Sequence, residues 1–154
     1  MSLATLLYTE HQIIKMVHTL ISMTFLIIAI WLFYRSIKGF YQNWTYDRLD
    51  KFLAYAFIVN LYLQLIFGFF LMASPAIIPG QEVVSQDITM KLATRRFWPM
   101  EHIVLMLFAL FIANLGLIFS NSAQVDKEKY RKVTVYYVLA VVLIILSLGS
   151  TFLE

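Results

Sequence analysis

The sequence predicts an all-α protein: an integral membrane four-transmembrane-helix bundle, up-down-up-down, forming a single membrane domain over residues 1–154. Three observations carry that prediction. Hydrophobic residues make up 61% of the chain and charged residues 14%, with a mean hydropathy of +0.77, far from a soluble domain. Four apolar stretches, about 12–34, 53–74, 98–119 and 133–152, approach or exceed the roughly 20 residues a helix needs to cross a hydrocarbon core of about 30 Å. No repeat, low-complexity tract or second domain interrupts this pattern.

The first stretch reads as a retained helix. It lacks a short apolar core followed by an Ala-x-Ala-like cleavage site, and "YRSIKGFYQNW" after it looks like a stop. Helix two closes at Pro75, Pro79 and Gly80, because proline lacks the N–H that would continue the ladder. The connection 75–97 is the longest, and long connections are where function concentrates. Within it the sequence predicts a short amphipathic helix at 88–96 on the membrane surface, capped by Asp87. Trp98 suits the aromatic interface, and Pro99 suits the first turn of helix three.

Charge predicts the orientation. Arg35, Lys38, Arg48 and Lys51 lie between helices one and two, and Lys127, Lys129, Arg131 and Lys132 lie between three and four. The opposite side holds Lys15, Lys91, Arg95 and Arg96. By the positive-inside rule the two short loops face the cytoplasm, and both termini and the loop 75–97 face outward. Asp47, Asp50, Asp126 and Glu128 do not enter that rule. The net charge of +3 therefore reads as topology, not as nucleic-acid binding.

The absence of cysteine excludes disulfides, thiolate metal sites and covalent haem attachment, so His, Met, Tyr or carboxylate must hold any metal. The histidines are His11, His18 and His102. Counting about 1.5 Å per residue from Arg35 and from Ser120, His18 and His102 each lie roughly 26 Å from the cytoplasmic surface. They are level, near the outer boundary. His11 lies roughly 10 Å further out and is the weaker candidate.

The faces agree with the depths. At helical spacing His18 shares a stripe with Ser22, Phe25 and Ala29, and His102 shares one with Met106, Ala109, Ala113 and Gly116. Small residues on such stripes suit close helix contact or a flat ligand. Two imidazoles at one height could supply both axial nitrogens of a b-type haem, with propionates directed outward to Arg95, Arg96 or Lys15. Against this, one histidine near an interface more often bonds to a neighbouring helix. Asn60 and Gln64, one turn apart, are more often interhelical glue than quinone ligands. Glu101 points about 100° from His102 and suits a salt bridge with the outer arginines, or a proton relay.

The segments "RSIKGF", "DRLDKFLAYAF", "NLYLQLIFGFFLMASP" and "RRFWPMEHIVLMLFALFIANLG" resemble a family of small four-helix membrane proteins of Bacteroidetes-type bacteria, commonly labelled cytochrome B-like. The resemblance covers nearly the whole chain. Its recurring elements match His18, Gln64 and Gly68 of "LQLIFG", Ser74 with Pro75, and Glu101 with His102. It implies b-type haem and electron transfer. Two positions depart from it: Tyr62 stands where the family usually carries a histidine, and Ser22 where it carries an arginine. A bis-imidazole scheme through His18 and His102 would make Tyr62 dispensable.

The leading expectation is a membrane electron-transfer protein or subunit with one haem b between helices one and three, exchanging electrons with a quinol or another subunit. It is an electron carrier or complex subunit rather than a self-contained enzyme. The alternative is a cofactor-free accessory subunit of a larger respiratory or transport complex, or a homo-oligomer. A proton or ion transporter using Glu101 is a weaker third, since no broken helix pair is visible.

Overall fold

The first helix, α1 (Leu3–Gln42), ends where Asn43 turns left-handed, with a φ of 52°. The Trp44 N–H then donates to the Gly39 carbonyl at 3.0 Å, a Schellman closure with asparagine in the position that glycine usually takes. Asp47 opens α2 (Arg48–Ala73) as its N-cap. Its Oδ1 accepts from the N–H groups of Leu49 and Asp50 at 2.9 and 3.1 Å, and Asp50 Oδ2 reaches back to the Asp47 N–H at 3.1 Å. This reciprocal capping box consumes donors that helix ends otherwise leave unsatisfied. α3 spans Gln86–Asn121 and α4 spans Asp126–Gly149, the latter with Asp126 and Glu128 in its first turn, where the helix dipole favours negative charge.

This computed structural model describes the backbone of residues 3–73 and 86–149, and side chains within 9–73 and 100–148. Among the described residues there is no strand, and all four helices contain a span long and apolar enough to cross a membrane. The protein is an all-α, multi-pass membrane bundle with its apolar outer surface against lipid. Each helix packs on its chain neighbour, and α1 closes the ring against α4.

The helices outrun the apolar stretches. α1 continues beyond its apolar stretch through "RSIKGFYQ", and α4 begins at Asp126 rather than 133. The reason is that hydrophobicity marks the length in hydrocarbon, whereas the backbone ladder persists until a residue breaks it. At about 1.5 Å per residue, the 40 residues of α1 extend roughly 60 Å, twice the hydrocarbon thickness. α3 corrects a second expectation. The surface helix expected at 88–96 and the span expected from 98 are one helix, and Pro99 is an interior residue of it. A proline there removes one donor without ending the ladder. The predicted helix-two stop at Pro75, Pro79 and Gly80, the Ser74 position, the side chains of Asp87, Lys91 and Trp98, and helix four beyond residue 149 lie outside the described residues.

The end of the bundle carrying the two short loops is filled by aromatic rings. Phe57 stacks flat on Tyr137, with centroids 4.6 Å apart and planes 6° apart, and tilts against Phe25 at 4.9 Å. The Tyr137 hydroxyl donates to the Ala54 carbonyl at 3.2 Å, so α4 is pinned across the bundle to α2. Nearer the loops, Arg35 grips Asp50 with two bonds, Nε–Oδ1 at 2.7 Å and Nη2–Oδ2 at 3.1 Å. The buried Tyr130 hydroxyl donates to Asp50 Oδ2 at 2.6 Å. One carboxylate thus joins α1, α2 and α4.

Candidate functional site: an internal cavity with two imidazoles

Toward the opposite end the aromatic filling stops, and the four helices line a cavity of about 480 Å³ that is partly open to the outside. That volume falls in the range of about 300–1,000 Å³ usual for small-molecule sites. Phe25 and Met106 line it on the aromatic side, and Val141 and Ile144 supply the α4 wall. Its polar groups are His18 and Ser22 from α1, Gln64 from α2 and His102 from α3. Both predicted stripes face inward: Phe25 and Ala29 on α1, and Met106, Ala109 and Ala113 on α3, are buried.

The imidazoles are held differently. The His18 ring rests against the bare backbone of Gly68, where a Cβ would stand 3.6 Å from His18 Cε1. Its Nδ1 is buried and has no hydrogen-bond partner among the described residues. The His102 imidazole hydrogen-bonds to the backbone of Ser147 on α4, and both rings line the same cavity. Beside them Gln64 Nε2 donates to Ser22 Oγ at 2.8 Å, and Ser22 Oγ donates to the His18 carbonyl at 2.9 Å. One turn away, Asn60 Nδ2 donates to Thr24 Oγ1 at 3.1 Å. These two links tie α1 to α2 at membrane depth, where an amide without a partner is costly.

The other candidates lie elsewhere. Lys15 is exposed and borders a separate surface cleft with Gln12, Met16 and Thr19. Glu101 is exposed and does not line the cavity. Tyr62 is exposed on the outer surface, with its hydroxyl 3.5 Å from Asn114 Nδ2. His11 is half-buried and not part of the cavity wall. The side chains of Arg95 and Arg96 lie outside the described residues. The sequence reading missed the α4 wall and Ser147, for which no local motif exists. It also missed the joining role of Asp50, which the Asp-x-x-Asp spacing of "DRLD" could have signalled as a capping box.

The donor set discriminates between kinds of metal group. Among the described residues no cluster of three or more His, Cys, Asp or Glu surrounds one point, so no site for a bare ion is built. A macrocycle that brings its own four nitrogens would need only two donors from the protein, and His18 and His102 are the histidines that line this cavity.

Fold and site together define a four-helix membrane protein whose partly open, largely apolar cavity presents two imidazoles from different helices. No family model, curated protein or solved structure matches the chain.

Proposed function

We propose that this protein is a membrane electron-transfer protein, or the electron-carrying subunit of a larger complex, holding one b-type haem between α1 and α3 through His18 and His102. One observation carries the reading: imidazoles on two helices meet at one apolar cavity large enough for a small-molecule cofactor. When bound, the haem would supply one-electron redox chemistry.

The chain's own part is binding, orientation and exclusion of water. The Ser147 backbone, hydrogen-bonded to His102, ties that imidazole to α4. Gln64 and Ser22 hold the α1 backbone at His18. Gly68 leaves the space beside the His18 ring that any side chain would enter. Aliphatic walls keep the surroundings of low polarity, which is one of the levers on haem potential. From their place in the sequence, Arg95 and Arg96 would be the cations for the propionates. A quinol or a neighbouring subunit would exchange the electron in a bacterial inner membrane, and the excess of Lys and Arg in the two short loops supports an orientation with both termini outside.

The test is an optical spectrum of the purified full chain. A reduced-minus-oxidised difference spectrum with b-type bands, lost in both His18→Ala and His102→Ala, supports the reading. A colourless, correctly folded preparation overturns it in favour of a cofactor-free accessory subunit.

A further inference from the structure

On the outer surface, away from the cavity, α2 and α3 carry matching polar positions inside their membrane spans. Tyr55, Val59, Tyr62 and Ile66 follow one another at alternating spacings of four and three along α2, all exposed. Phe111, Asn114, Ile118 and Asn121 repeat that spacing on α3. Phe111, Ile118 and Asn121 are exposed and Asn114 is partly so. Spacings of three and four place each set on one face of its helix.

The polar positions fall in register. Asn114 Nδ2 points to the Tyr62 hydroxyl at 3.5 Å, and seven residues on, Asn121 Nδ2 points to the Tyr55 hydroxyl at 3.4 Å. Asn114 also donates to the Leu110 carbonyl at 2.8 Å. Both of its N–H groups are then used, whereas no donor among the described residues reaches its Oδ1 and no acceptor takes the Tyr62 hydroxyl proton. Tyr62 stands mid-way along α2, not at the headgroup level where tyrosine is ordinarily placed. A hydroxyl and an amide facing hydrocarbon half-satisfied are costly, and a polar side chain at that depth ordinarily turns toward protein.

We propose that a second copy of this chain covers the α2–α3 face, related by a two-fold axis along the membrane normal. Copies inserted in the same direction bring equal depths together, so each rung meets its own image. A rung that holds both a donor and an acceptor is complementary to itself: the Tyr62 hydroxyl of each copy donates to Asn114 Oδ1 of the other. A buried asparagine in a heptad seam sets register and oligomer state in the same way. The inference does not depend on what fills the cavity.

The chain has no cysteine, so single-cysteine variants of the full protein report contacts in native membranes without background. Phe111→Cys and Ile118→Cys should form disulfide dimers on mild oxidation. Ile30→Cys on α1 and Ile145→Cys on α4, both exposed away from the seam, should not. Asn114→Leu should weaken dimerisation in lipid by about five-fold or more. Equal cross-linking at the control positions, capture of a different polypeptide by the seam positions, or unchanged dimerisation in a folded Asn114→Leu chain overturns the proposal. Should Asn114→Leu fail to fold, the cysteine pattern decides alone, since Ile118 and Phe111 are surface positions.

Discussion

Tyr130 of α4 lies against the bare backbone of Gly39 on α1: a Cβ there would come within 2.6 Å of Tyr130 Cε1. The ring cannot swing aside, because its hydroxyl is bonded to Asp50 and its edge meets Tyr46 with centroids 5.0 Å apart. Gly39→Ala is therefore expected to destabilise by about 1–3 kcal/mol through overpacking, outweighing the roughly 1 kcal/mol that alanine gains in helix propensity. Thermal unfolding in detergent reads this directly. An unchanged or raised midpoint would contradict the contact.

Asp50 is the common acceptor for Arg35, Tyr130 and the Asp47 N–H. Its side chain is 3% exposed and that of Arg35 18%. Asp50→Ala leaves the guanidinium without its main partner and should cost about 3–5 kcal/mol, at the scale of breaking a buried pair. Tyr130→Phe removes one bond to a charged group and should cost about 1.5–3 kcal/mol. Combining them should cost less than the sum, because both act on one carboxylate. Additive losses in a double-mutant cycle would show that the network is not a unit.

Gly68 separates cavity from fold. With a Cβ at 3.6 Å from His18 Cε1, Gly68→Ala makes an ordinary contact and should leave folding intact. Gly68→Leu projects further into the space beside His18 and should abolish pigment while helical circular dichroism persists. Pigment retained at the native level in Gly68→Leu would place the cofactor elsewhere.

Gln64 and Ser22 are expected to act as a pair. Gln64→Leu and Ser22→Ala each remove the 2.8 Å bond between α1 and α2 and should cost about 0.6–2 kcal/mol. The double variant should lose little more than either single one. Unfolding midpoints of the three chains decide whether the two residues act through each other.

Much of the architecture was legible because membrane helices obey simple lengths. Four apolar runs specified four helices, and the fixed rise per residue set His18 and His102 at one level without any knowledge of packing. The stripes through Phe25 and Ala29, and through Met106 and Ala109, were legible from small and aromatic residues at helical spacing, and both are buried. Asn60 and Gln64 read as interhelical glue, and each bonds to α1. The helix ends were not legible from hydropathy, because Asn43 and Asp47 act through backbone geometry and capping bonds.

By itself the sequence determined the all-α class and the number of helices, which follow from hydropathy and the length of each apolar run. The tertiary structure alone decided how α2 and α4 are turned and which polar groups meet across the bundle. That rotation puts Tyr62 on the outside beside Asn114, brings Ser147 of α4 to His102, and gathers Arg35 and Tyr130 on Asp50. The physical reason is the solvent. In lipid an outward-facing leucine and an inward-facing one are equally satisfied, so hydrophobic periodicity weakens as a guide. Close packing at Gly39 and Gly116, and hydrogen bonds that no lipid can supply, choose the rotation instead.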